Sequence, residues 1–261
     1  MSPAEQQRLA EVLAKARRDG RQVRNLPKEL VPATLAEGCA VNARVAELLG
    51  FEPLGWKIAA TNPDMQRRLR TLAPIYGRTF RRFAMASPAL LSRAELLDPL
   101  VECEFFFRLA RALPPRQAPY GREEVADAVA SVHCGIEIAE CRFPMDALPP
   151  VSAILADGAA SGRYVVGPAI ADWRQRDLAA MPVTLNVNGT MRRKGSGREV
   201  MGDPINPLVW LCNERSAWGD GLAAGALVST GTATGMLLAQ AGDEMVARFG
   251  EDHLVRVRFT T

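Results

Sequence analysis

The chain has 261 residues, and its 32 Lys and Arg against 29 Asp and Glu leave a formal charge of only +3. Apolar residues make up 48% and charged residues 23%, which excludes a disordered or collagen-like polypeptide and predicts one or two folded domains with a sizeable core. No basic stripe with interleaved aromatics occurs. The nearest approach, Arg67, Arg68, Arg70, Arg78, Arg81 and Arg82, reads as a solvated face or an anionic-substrate pocket, so nucleic acid is not an expected partner.

The first element is a helix that announces its own start. Ser2-Pro3-Ala4-Glu5 matches a capping box with proline at the first helical position, Leu9, Val12, Leu13 and Ala16 recur on one face, and Gly20 stops it. A second amphipathic helix is predicted from Thr34 to Gly50, so residues 1–50 form an N-terminal helical segment. Charges at Glu5, Arg8, Glu11, Lys15, Arg17 and Arg18 do not fit a signal peptide, and a cytoplasmic protein is expected.

After Gly50 the period changes. Trp56-Lys57-Ile58 is strand-like, Asn62-Pro63-Asp64 opens a brief helix, and Val101 to Leu109 is a strong strand. A helix over Arg122 to His133 and a strand over Ile136 to Ala139 are predicted next. From Val151 onward short strands dominate, at Arg163–Val166, Val183–Val187, Ala226–Thr230, Glu244–Phe249 and Val255–Phe259, with a hairpin turn at Asn188-Gly189. One helix, around Pro207 to Arg215, interrupts them. The uncharged stretch Leu222 to Gly242 is rich in Gly, Ala, Ser and Thr and reads as strand, turn and strand, not as a membrane span. Helices first and strands later predict an α+β protein with a rolled sheet, in which residues 51–261 join the helical segment in a single compact unit.

The chemistry concentrates in a few places. In Val101-Glu102-Cys103-Glu104-Phe105, strand alternation sets both carboxylates on one face and the apolar residues on the other. Such a pair is either one exposed face of an edge strand or, in apolar surroundings, a seat for a divalent cation that relieves repulsion and desolvation together. Glu137, within Ile136-Glu137-Ile138-Ala139-Glu140, adds a third acid. Three oxygen ligands suit Mg²⁺ or Mn²⁺ and disfavour zinc, and with only two histidines a multi-His centre is impossible. The five cysteines show no CxxC spacing and read as small buried hydrophobes. Lys57, in an uncharged stretch, either snorkels outward or is held near a site to bind an anion or transfer a proton. Asp157 is predicted at a strand end, as an ordinary turn residue or a site acid, and Thr230-Gly231-Thr232 is either a tight turn or a carboxylate-binding nest.

In this order the motifs resemble the 2-keto-4-pentenoate hydratase branch of the fumarylacetoacetate hydrolase superfamily, which also contains 4-oxalocrotonate decarboxylases. The carrying segments are Gly55-Trp56-Lys57-Ile58, Met65-Gln66, Val101-Glu102-Cys103-Glu104, His133 to Ile138, Asp157 to Gly162 and Thr230-Gly231-Thr232, spread over about residues 30 to 259. The resemblance implies a mixed β-roll with a Mg²⁺ or Mn²⁺ ion held by Glu102, Glu104 and Glu137. It implies a small-molecule 2-oxo acid substrate, Lys57 and Asp157 as acid–base candidates, and substrate contacts at Thr232, Gly231, Ser161 and Arg78. It further implies a homo-oligomer without membrane partners. Glu140 is set aside as a salt-bridge partner for Arg142. The activity expected is a hydro-lyase adding water to a 2-hydroxy-2,4-dienoate. The alternatives are a decarboxylase of a dicarboxylic 2-oxo acid, with Arg78, Arg81 and Arg82 taking the second carboxylate, or a non-catalytic 2-oxo-acid-binding relative. Two departures bear on this choice: the loop Ala73 to Arg82 lacks the family's acidic residues, and Asp157-Gly158-Ala159-Ala160-Ser161 replaces Asp-Asn-Ala-Ser-Ser.

Overall fold

The computed structural model describes residues 1–261. In chain order the elements are α1 (Pro3–Asp19), α2 (Leu35–Leu49), β1 (Pro53–Ala59), α3 (Pro63–Leu69), β2 (Ile75–Phe80), β3 (Ala84–Ala86), β4 (Ala89–Ser92), β5 (Leu100–Leu109), α4 (Arg122–Asp127) and β6 (Val129–Ala139). They continue with α5 (Val151–Ala156), β7 (Arg163–Ala169), β8 (Pro182–Val187), β9 (Thr190–Ser196), α6 (Ile205–Ala217), β10 (Leu227–Thr232), β11 (Leu237–Leu238), β12 (Glu244–Phe249) and β13 (His253–Thr260). No helix is long and apolar enough to cross a membrane.

Both N-terminal helices form where their caps predict. Ser2 and Thr34 each close a capping box with a glutamate three residues on, and Gly20 and Gly50 end the helices in left-handed conformation. The apolar faces of α1 and α2 bury Leu9, Leu13, Val41 and Val45 against Phe80, Phe143 and α5.

Two sheets carry the rest. One runs β2-β1-β10-β5-β6-β7-β3 with β11 beside β5, and the other runs β4-β13-β12-β8-β9. The main core lies between them and includes Phe105, Ile136, Leu185, Phe249 and Val257, with Phe105 edge-on to Phe249 at 5.2 Å. On β5, Val101, Cys103, Phe105 and Phe107 enter this core, so Glu102 and Glu104 must point out of the opposite face. Likewise Trp56 and Ile58 of β1 enter the core and Lys57 does not. The Asn188-Gly189 hairpin joins β8 to β9 with both residues at positive φ, 51° and 81°.

Three expectations are corrected. The helix predicted to reach His133 ends at Asp127, and β6 takes the remainder. Val132, Cys134, Ile136 and Ile138 all enter the core, a period of two that overrides the helical pattern of the charged stretch before it. Asp157 follows a helix, not a strand: Val151–Ala156 is α5, a short apolar run whose type periodicity alone does not decide. The stretch read as a loop from Ala73 to Arg82 contains strand β2, which needs glycine at 77 because a Cβ there would lie 1.9 Å from the Gly158 carbonyl oxygen.

Candidate active site

Antiparallel pairing of β5 with β6 sets Glu102 directly opposite Glu137 and Glu104 opposite Gly135, while Thr232 of β10 flanks Glu104 on its other side. Carboxylate oxygens of Glu102, Glu104 and Glu137 all lie within 4.8 Å of one another, and none of the three residues is more than 8% exposed. The exposed-edge alternative for the ExE pair is thereby excluded. Lys57 reaches the group from β1, with Nζ 3.1 Å from Glu137 Oε1. Its second partner is the Ala159 carbonyl oxygen at 3.0 Å.

Further donors orient the acids. The Gly231 amide donates to Glu104 Oε2 at 3.0 Å, and the hydroxyls of Ser229 and Tyr164 donate to Glu137 at 3.3 and 3.4 Å. The Thr230-Gly231-Thr232 segment is therefore the irregular end of β10, where the register shifts between Ser229 and Thr232. Gly231 sits at φ +98°, and a Cβ there would lie 2.1 Å from Thr61 Oγ1, so only glycine presents its amide in this way.

Three buried carboxylates face a single ammonium. Burial pushes Glu102 up to about 7, with Lys57 pulling it down and Glu137 adding to the rise. Burial, reinforced by the charges of Glu137 and Glu102, lifts Glu104 well above the ordinary carboxylate range, and burial also raises Glu137 despite Lys57. Burial alone would lower Lys57, but Glu137, Glu102 and Glu104 outweigh it and the ammonium is held upward. The set is short of positive charge, its donors are all hard oxygens, and a divalent cation of the magnesium or manganese type fits it.

Glu102, Glu104 and Lys57 form the polar inner end of a cavity of about 770 Å³, including its open mouth. Its walls are apolar, with Ile75, Leu100, Met145, Ile154, Leu69 and Met236 prominent, and the exposed Arg68 stands at its rim. Thr232, Gly231 and Ala160 also line it. The Thr232 hydroxyl donates to the Gly235 carbonyl at 3.1 Å within its own turn.

Three predicted site residues lie elsewhere. Asp157 does not line the cavity; its carboxylate is bound by Arg142 Nε at 2.8 Å and by the Arg142 amide at 2.9 Å. Arg142 is therefore the partner of Asp157 and not of Glu140, which accepts from the Leu97 amide and faces Arg163 at 3.5 Å. Ser161 is buried behind the cavity wall, its Oγ bonded to the Arg78 carbonyl and the Tyr164 hydroxyl. The Arg78 guanidinium stacks 3.9 Å over Trp56 in a separate groove. Its register partner is Trp56 while that of Lys57 is Gly77, so pleating sends Arg78 to the face opposite the acids. Arg81 pairs with Glu52 and Arg82 stacks on Phe51, so none of these three arginines serves the cavity. Sequence inspection passed over Ser229, Tyr164 and the Ala159 carbonyl. Alternation with Gly231 along β10 could have pointed to Ser229, but a backbone carbonyl carries no sequence signal.

The model of the fumarylacetoacetate (FAA) hydrolase C-terminal family matches residues 99–260. Across 262 residues the chain is 28% identical to the 2-keto-4-pentenoate hydratase of Paraburkholderia xenovorans strain LB400, covering 99% of this chain and 96% of that one. It is 24% identical over 254 residues to a 4-oxalocrotonate decarboxylase of Pseudomonas putida, covering 96% and 95%. The fold superposes with a TM-score of 0.91 on the 4-oxalocrotonate decarboxylase from Pseudomonas putida G7 complexed with magnesium and adipate, at 22% identity over 99% of this chain and 98% of that one.

Proposed function

The chain belongs to the fumarylacetoacetate hydrolase family, and on that premise we propose that it is a divalent-metal-dependent hydro-lyase. It adds water to a 2-hydroxy-2,4-dienoate of the 2-keto-4-pentenoate type and yields a 4-hydroxy-2-oxo acid. The observation that carries this reading is the buried trio of Glu102, Glu104 and Glu137, of which Glu102 and Glu104 join Lys57 in lining an apolar cavity. The full-length similarity to curated hydratases supports it.

The three glutamates would hold Mg²⁺ or Mn²⁺, which supplies a template for a 2-oxo carboxylate and Lewis acidity toward its 2-oxygen. The remaining chemistry falls to the chain's own residues. Ketonisation takes the proton off the 2-hydroxyl and puts one on the terminal alkene carbon, and hydration then bonds water's oxygen to C4 while a proton is added at C3 and the water loses one. Lys57 borders the cavity with its Nζ among these acids and is the side chain placed to deliver these protons. Two of its three N–H groups are engaged by Glu137 and the Ala159 carbonyl, which directs the third into the cavity. Apolar walls keep bulk water from competing and suit an uncharged substrate tail.

A decarboxylase acting on a dicarboxylic 2-oxo acid is the second reading, favoured by Arg68 at the rim and by the similarity to a curated 4-oxalocrotonate decarboxylase. A distal carboxylate that stopped short of Arg68 would be buried unpaired against Leu100 and Ile154, at a cost of several kcal/mol. The test is a magnesium- or manganese-supplemented assay of 2-hydroxypenta-2,4-dienoate and 2-oxohex-3-enedioate that follows hydration and CO₂ release together. Hydration of the first substrate is expected. Carbon dioxide from the second without hydration of the first establishes the decarboxylase, and turnover of neither refutes both readings.

A further inference from the structure

Residues 157–162 connect α5 to β7 and bring the Ala159 carbonyl to Lys57. Gly158, Ala159 and Ala160 take positive φ in succession, 81°, 54° and 58°. Left-handed backbone is disfavoured for a residue carrying a Cβ, so two alanines in a row must be held there from outside. The Glu140 amide donates to the Ala160 carbonyl at 2.9 Å, and Arg142 ties the two ends of the loop together. Its Nε and backbone amide bind the Asp157 carboxylate at the start of the loop, and its Nη2 donates to the Ser161 carbonyl at the end, at 2.8 Å. Both residues are almost fully buried, 3% and 2% exposed, so water does not compete for these bonds. The clamped loop also rests on Gly77 of β2, the register partner of Lys57.

We propose that Arg142 and Asp157 are positioning residues that clamp the 157–161 loop so that the Ala159 carbonyl aims the Lys57 ammonium at the substrate. The role rests on the hydro-lyase reading, in which Lys57 supplies the proton. A displaced carbonyl frees Nζ to swing toward the carboxylates, and the orientation that makes the proton transfer effectively unimolecular is lost. Neither residue touches the cavity, and the Gly231 amide on Glu104 and the Ser229 hydroxyl on Glu137 are donors that the clamp does not hold.

Arg142→Lys tests this, because lysine retains an ion pair with Asp157 but cannot also reach the Ser161 carbonyl. In the magnesium-loaded enzyme, kcat for 2-hydroxypenta-2,4-dienoate is expected to fall by about tenfold or more, with KM and calorimetric Mg²⁺ affinity within about threefold of the unaltered chain. Amide hydrogen exchange at residues 158–161 is expected to quicken by about tenfold or more. Faster loop exchange with unchanged kcat overturns the proposal, as does unchanged loop exchange. Loss of Mg²⁺ affinity in step with kcat also overturns it, since the damage would then have reached the carboxylates. If Arg142→Lys does not fold, Asp157→Glu keeps the charge, lengthens the arm and is held to the same outcomes. Absence of dienoate turnover by the unaltered enzyme defeats the hydro-lyase reading alone. The clamp is then judged by loop exchange together with the Lys57 Nζ resonance, which is expected to shift in Arg142→Lys and overturns the proposal by staying unmoved.

Discussion

Replacing Glu104 by glutamine separates a metal ligand from a structural carboxylate, because the two roles predict opposite effects on stability. With oxygens no more than 4.8 Å apart, each like-charged pair in the trio repels by about 3.5 kcal/mol at an effective dielectric constant of roughly 20. Glutamine removes the charge and can still accept from the Gly231 amide. Burial and the charges of Glu137 and Glu102 raise the Glu104 carboxyl in the folded chain, so the fold binds a proton there that the unfolded chain releases. Stability of the unaltered, metal-free protein must therefore fall as pH rises from the unfolded value toward the folded one, and Glu104→Gln abolishes that loss. In chelator the variant is expected to melt at or above the unaltered protein, with an advantage that grows as pH rises above the ordinary carboxylate range. With Mg²⁺ the order reverses: a ligand at a hundred times its Kd stabilises the native state by about 2.7 kcal/mol, a gain the variant loses along with turnover. Paired thermal melts in chelator and in Mg²⁺ decide the matter. A variant that melts well below the unaltered protein in chelator, or that gains as much from Mg²⁺, would refute the metal-ligand assignment.

Three further outcomes are expected. Lys57→Met should lower kcat by about 10²- to 10⁴-fold, the range for a positioned acid–base group, without weakening Mg²⁺ binding in calorimetry, because it removes a competing cation. Metal affinity should rise as pH increases through about 7, since burial pushes Glu102 up to about 7 and raises Glu104 well above the ordinary carboxylate range, and a metal must displace the protons they hold. Titrations in buffers of different ionisation heat should show that proton release. Gly231→Ala should destabilise the chain by about 1–3 kcal/mol in denaturant melts and weaken metal binding, because its Cβ meets Thr61 and the turn must shift the amide that serves Glu104.

Period-two alternation was enough to set Glu102 and Glu104 on one face of β5 and Lys57 against Trp56 and Ile58 on β1, because side-chain direction along a strand is a local property of the backbone. The same locality made the helix caps at Ser2 and Thr34 and the Asn188-Gly189 hairpin legible. Choice of neighbour is not local. That Glu102 faces Glu137, and that Arg78 shares a face with Trp56 while Gly77 sits beside Lys57, depends on strand registers linking segments distant in the chain. Asp157 was visible as an acid beside a small-residue run, but its commitment to Arg142 and the left-handed path of Ala159 and Ala160 arise only from the tertiary structure. The charged side chains of the site could thus be named from the sequence. Which of them meet, and which backbone carbonyl completes the Lys57 shell, was decided by long-range pairing that no single segment encodes.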